Sequence, residues 1–294
     1  MATRIAREKV YSFRKIQSEI SDENISDVVV SGNRLQCTLT DISAGVGNHL
    51  VHIISDEIPT MRLAILEVIM NGSILHDEII CQRLGLLPII ANADDFSYMS
   101  TDKYGDESIN LMFTLTAECP ASATIGKIVT SSDLKWVPIG SQAEKYQNSP
   151  PKPLYSDIKL FTLTPGQSVD LVVYAAKGTG RIHAGWKPVS TVSCRPRYLV
   201  EIDNEVPSEL VQELVAVCPK QVFDIEDGVA IVKSMENCSM CRECQDEKFI
   251  DYVKLSFSRT EKIVKIASMG VIPPKTLLDR AVDFLNNHVD NSLI

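Results

Sequence analysis

Read as apolar and polar positions, the chain becomes patterned only after about residue 20. Val28, Val29 and Val30 precede the turn signal Ser31-Gly-Asn33, and Leu35, Cys37 and Leu39 then alternate with polar residues. This predicts a β-hairpin whose second strand has one apolar face. Beyond Gly45, the spacing of Val46, Leu50, Ile53, Ile54 and Ile58 predicts a helix over 46–56 that Pro59 ends. A strand over 65–70 follows, then the Asn71-Gly72 turn, with Ser73 expected to cap a short helix over 75–84 that Gly85 stops. Ile74, Leu75, Ile79, Ile80, Leu84, Leu86 and Leu87 are too many for one buried face of so short a unit. Some of them are expected to meet a second surface, another layer or another chain.

Between 89 and 174 short β-type runs, such as 110–116 and 127–130, alternate with polar turns, and 164–167 reads as a turn between strands over 159–163 and 169–174. A mostly antiparallel inserted domain fits this rhythm. Residues 209–216 are helical in pattern, and 222–232 reads as a hairpin around Asp227-Gly228. Two strands over 252–257 and 262–267 come next, and Pro274 suits the first position of a helix. Along that helix Leu277, Leu278, Ala281, Val282, Leu285 and Val289 form a continuous apolar stripe.

Composition changes this picture by exclusion. With 294 residues and 45% hydrophobic content, the chain can hold one large domain or two to three small ones, and no apolar run approaches the ~20 residues of a membrane span. A secretory signal is not expected at the N-terminus, so an intracellular chain is. The formal net charge of −9 argues against extended phosphate binding, and no direct nucleic-acid role is expected. His49, His52 and His76 have no acidic or cysteine neighbours at a spacing that would form a convincing site, and read as surface or interface residues. Gly178 and Gly180 lack the third glycine and the Lys-Ser/Thr pair of a phosphate loop.

The candidate inorganic chemistry lies in Cys218-Pro219 followed by Cys238, Cys241 and Cys244. Three thiolates at C-x2-C-x2-C with a distant Cys-Pro match the ligand pattern of bacterial-type ferredoxins and point to a [4Fe-4S] or [3Fe-4S] cluster. Zinc is the alternative, although it usually takes two separated C-x2-C pairs. A further cysteine of the two-cluster pattern is replaced by Lys248, so one cluster at most is implied. Cys37, Cys81, Cys119 and Cys194 read as core thiols.

The ordered run Glu57-Ile-Pro-Thr-Met61 and Asn71-Gly-Ser-Ile-Leu-His-Asp-Glu-Ile-Ile-Cys-Gln-Arg-Leu-Gly-Leu-Leu-Pro-Ile89 resembles the alpha-like assembly subunits of multisubunit RNA polymerases. The segments 132–140, 163–167 and 177–188 resemble archaeal and eukaryotic members rather than bacterial alpha. The resemblance implies an α+β fold with a discontinuous dimerisation domain (1–60 and 250–294), an inserted domain (61–188) and a ferredoxin-like iron–sulfur domain (189–249). It implies a non-catalytic scaffold that pairs with a smaller alpha-like subunit through Val46, Leu50, Ile53 and Ile54 on one helix and Leu278, Ala281, Val282 and Leu285 on the last. The second-largest polymerase subunit would be gripped by the 77–88 region, with Asp77, Glu78, Arg83, Leu84, Gly85, Leu86 and Pro88 as contacts. Val51 and His52 stand where the family usually has a pair of arginines, a departure from its pattern. The compartment would be the nucleus in a eukaryote and the cytoplasm in an archaeon or virus. A rival reading, an iron–sulfur electron-transfer protein, accounts for the four cysteines but leaves the rest of the chain without a purpose.

Overall fold

The computed structural model describes residues 20–99, 104–202 and 206–291, with side chains of the last helix described as far as Asn287. The first nineteen residues, expected in the dimerisation domain, and the Val289 side chain lie outside the described part. The chain begins with the hairpin of β1 (Ile25–Ser31) and β2 (Arg34–Leu39), then helix α1 (Ala44–His52) running into a wider π turn at Ile53–Glu57. Next come β3 (Thr60–Asn71), α2 (Asp77–Gly85) and the short β4 (Ile89–Ile90). They are followed by β5 (Asn110–Glu118), β6 (Lys127–Thr130), β7 (Lys135–Val137), the single turn α3 (Gln142–Lys145), β8 (Lys152–Pro153), β9 (Lys159–Leu163) and β10 (Ser168–Gly178). The remainder holds β11 (Val189–Ile202), α4 (Ser208–Val217), the hairpin β12 (Phe223–Glu226) and β13 (Val229–Val232), β14 (Val253–Ser268) and α5 (Pro274–Asn291). This is an α+β chain, and every ladder between these strands is antiparallel.

One sheet, ordered β1-β2-β14-β11, joins strands far apart in sequence: Leu39 pairs with Lys262 and Cys37 with Val264. Against its apolar face lie α1 and α5, so that Val46, Leu50, Ile53 and Ile54 share a core with Leu35, Leu39, Ile266, Leu277, Leu278, Ala281 and Leu285. Ser43 caps α1 by accepting from the Val46 N–H at 3.3 Å. A second sheet, β3-β10-β5-β7, covers a core built from alternate residues of β5 (Leu111, Phe113, Leu115) and β10 (Val169, Leu171, Val173), closed by Ile80 and Leu84 of α2. The third core gathers Val200, Val211, Leu214, Phe223, Phe249 and Val253 around three cysteines.

Two local expectations are corrected. Ser73 does not cap α2: the helix starts after His76, which makes no side-chain cap, while the Ser73 hydroxyl donates to Asn71 Oδ1 at 2.7 Å and accepts from the Leu75 N–H. The turn uses the hydroxyl before the helix can. The strands expected over 252–257 and 262–267 are one strand, β14. Its first part pairs with Tyr198–Ile202 and its second with Val189–Pro196, the register shifting between Pro196 and Tyr198. Proline has no N–H to donate, so it sits where the ladder is already broken, on a strand at the sheet's edge. β11 and β14 thereby run from the α1/α5 core into the cysteine-lined one.

Candidate functional site

Four thiols line one small cavity. Cys218 ends α4, Cys238 follows a 3-10 turn, Cys241 sits in the exposed loop and Cys244 lies in the next 3-10 turn. Together with Val200, Val222, Phe223 and Leu255 they wall a tight space of about 10 Å³. The loop wraps tightly because Met240 (φ 57°) and Arg242 (φ 68°) take left-handed backbone conformations. Cys218 and Cys238 each accept a backbone N–H at 3.4 Å, from Val222 and Met240. Burial, and then the proximity of Cys238, Cys218 and Cys241, push the Cys244 thiol up to about 11, against a lowering backbone hydrogen bond. In kind the donor set fits a thiolate-bound group: all sulfur, three buried, two with N–H···S bonds. In placement, no group of three or more His, Cys, Asp or Glu side chains among the described residues is gathered to hold a metal ion.

The residues expected to bind the smaller subunit fall mostly inside this chain. Val46, Leu50, Ile53, Ile54, Leu278, Ala281 and Leu285 are buried between α1, α5 and the sheet, and Val282 is half-buried at the margin of the same core. Their apolar surface is therefore used within the chain, where it positions the outward faces of the two helices. His52 is exposed, 3.6 Å from Asp56, and His76 is exposed at the start of α2.

The 77–88 region divides between core and surface. Leu84 and Gly85 are buried and Pro88 half-buried, whereas Asp77, Glu78, Arg83 and Leu86 are exposed. Of the surplus apolar positions, Ile80 and Leu87 join the core while Ile74 (75%), Ile79 (40%) and Leu86 (58%) face solvent. Val68, Ile69 and Met70, at the end of the edge strand β3, are exposed as well. Sequence reasoning did not single them out as exposed; the signal was a strand apolar on both faces, with Glu67 its one charged member between Ile65 and Met70. Cys81, expected in the core, is exposed on α2, because the helix presents Ile80 and Leu84 inward at i, i+4 and turns 81 away.

Residues 177–188 form a brace beneath both regions. Trp186 donates to the Ala176 carbonyl at 3.0 Å, accepts at its own carbonyl from the Thr60 hydroxyl at 2.6 Å, and lies under the Arg62 guanidinium at 4.9 Å. Arg62 in turn donates to the Gly85 carbonyl at 2.6 Å. Arg181 pairs with Glu57 and Lys187 with Asp56 at 3.1 Å, which ties the brace to the π turn after α1. Burial would raise the Asp56 pKa, but hydrogen bonds from Lys187 and Ser55 and the Lys187 charge hold it below its ordinary value. A Cβ on Gly178 would meet the Trp186 ring at 2.5 Å and one on Gly180 the Ser55 carbonyl at 2.4 Å, so both glycines serve close packing.

Comparison with known proteins adds identity to this geometry. Residues 66–191, which include most of the second sheet, α2 and the 177–188 brace, match the family described as the RNA polymerase Rpb3/RpoA insert domain. The chain is 35% identical over 260 residues to DNA-directed RNA polymerases I and III subunit rpac1 of Dictyostelium discoideum, covering 86% of this chain and 75% of that one. It is 31% identical over 278 residues to the human subunit RPAC1, covering 88% and 80%. To DNA-directed RNA polymerase subunit Rpo3 of Methanosphaera stadtmanae it is 32% identical over 239 residues, covering 80% and 84%.

Proposed function

The chain belongs to the alpha-like subunits of DNA-directed RNA polymerases, the Rpb3/RpoA family, and from that premise we propose that it is a non-catalytic assembly scaffold. The exposed apolar side chains of Ile74, Ile79 and Leu86 on and beside α2 carry this reading, with Val68, Ile69 and Met70 also bare at the end of β3. An unpaired patch beside a structured helix is what an obligate neighbour would cover, and burying it stabilises the assembly by ~25 cal/mol per Å² before ordering costs. The second-largest subunit is the proposed occupant. The outward faces of α1 and α5, set by the core beneath them, are proposed to meet the smaller alpha-like subunit. Folding of this chain and recruitment of its partners then become linked equilibria. The compartment follows the polymerase; among the described residues no helix is long and apolar enough to cross a membrane.

We further propose that Cys218, Cys238, Cys241 and Cys244 hold an iron–sulfur cluster, [4Fe-4S] or [3Fe-4S], with zinc as the alternative metal. The supporting observation is the shared thiol-lined cavity with its two N–H···S bonds. Such a group would act as a structural tie between the α4 end and the 238–244 loop.

The scaffold reading is tested by co-expressing the tagged chain with both partners. Ile74→Asp with Leu86→Asp is expected to lose the second-largest subunit while the smaller one copurifies normally. Retention of both, or loss of both from a well-folded variant, would remove this surface from the account. Iron and zinc measured on the same preparation test the metal.

A further inference from the structure

We propose that a basic hollow beside the thiol cavity is the docking site of an acidic polypeptide segment. The hollow, about 540 Å³, opens between the outer face of the β1-β2-β14-β11 sheet and the loops at 219–221 and 236–239. That volume suits a few side chains of an extended chain. Its walls set Arg195, Lys220 and Lys265 against one carboxylate, Glu236. Sheet register explains two of the cations: Lys265 pairs with Ser193, and Arg195 lies two positions further along β11, on the same face.

Arg195 is held ready, donating to the Glu236 carbonyl at 2.7 Å with its guanidinium 4.7 Å from the Tyr198 ring. The Glu236 carboxylate is itself engaged, accepting from Gln36 Nε2 at 3.2 Å. Lys220 and Lys265 are exposed on either side of Arg195's hollow, and among the described residues neither has an ion-pair partner. In a chain of net charge −9, where carboxylates are in excess, gathered cations left unpaired mark a place where another molecule supplies the negative charge. The chain's own first nineteen residues do not supply it, since they carry Arg4, Arg7, Lys9, Arg14 and Lys15 against Glu8 and Glu19. Lys220, Cys238 and Ser239 line both spaces, so an occupant of the hollow covers the approach to the cysteines. The inference rests on the scaffold reading only for the source of the segment, a neighbouring subunit of the assembly.

The test titrates the full chain into a fluorescein-labelled oligo-glutamate peptide and reads anisotropy at low and physiological salt. Saturable binding that weakens with salt is expected, and the Lys220→Ala/Lys265→Ala double variant should bind roughly tenfold more weakly. Lys145→Ala, remote from the hollow, should leave binding unchanged. Melting curves of each variant report folding, which loss of these exposed side chains should not alter. Absence of saturable binding, or affinity untouched by the double variant, overturns the proposal. So does tighter binding of a single-stranded RNA of equal charge, which would make the hollow a nucleic-acid site. Because no partner subunit is present, a failure here is distinguishable from a failure of assembly.

Discussion

The core beneath α1 and α5 takes its side chains from residues 20–58, 189–194 and 264–285, whereas the core around the cysteines draws on residues 198–255. In the first, large aliphatic residues from remote parts of the sequence are buried almost completely, as Leu50, Ile53, Ile54 and Leu277 are. In the second, Cys218, Cys238 and Cys244 occupy positions that hydrophobes would fill in a larger domain, and Cys241 is exposed. Long-range burial closes the first. The second is built from too short a stretch for burial alone to give a large margin, so a thiol-bound tie would contribute most there. Residues 177–188 join the first of these cores to the inserted domain.

The contrast is broken most severely at the cysteines. Replacing both Cys238 and Cys244 with Ser is expected to abolish bound iron and to lower amide protection across 206–253 by several kcal/mol, while α1 and α5 exchange as before. Hydrogen exchange read by mass spectrometry checks this, and equal protection in both proteins would show that the tie is not what closes the smaller core. Leu50→Ala attacks the other side. It should cost about 2–5 kcal/mol in urea unfolding without altering metal content.

Gly180→Ala targets the brace. Its methyl would press on the Ser55 carbonyl, at a cost of about 1–3 kcal/mol, and is expected to loosen the π turn before either core melts. Amide exchange at 53–57 measures it. The smallest effect belongs to Asp56. Its carboxyl is held below the ordinary value of 3.8, so its ion pair contributes fully above that pH and is lost as pH falls through the lowered pKa. Asp56→Asn should remove that acid-side loss and change stability at neutral pH by only about 0.2–1 kcal/mol, as solvent screens so accessible a pair. Urea midpoints followed from neutral pH into the carboxylate range decide it.

Much of the architecture was legible beforehand. Helical spacing marks α1, α4 and α5, strict alternation marks β2, and Asp227-Gly228 marks a two-residue hairpin turn, where both residues take positive φ (50° and 83°). Where local chemistry offered two solutions, the reading failed: Ser73 serves its own turn, and a bulge opposite Pro196 keeps β14 one strand.

Residue order by itself determined the periods and the turns, because each depends on backbone geometry within a few residues. Which apolar faces are closed was decided only in three dimensions. The stripes of α1 and α5 look as available for a partner as Ile74 and Leu86 do, yet the first two bury one another over the sheet and the others face water. Burial is a relation between segments far apart in the chain, and a pattern along one segment carries no information about what comes to lie upon it.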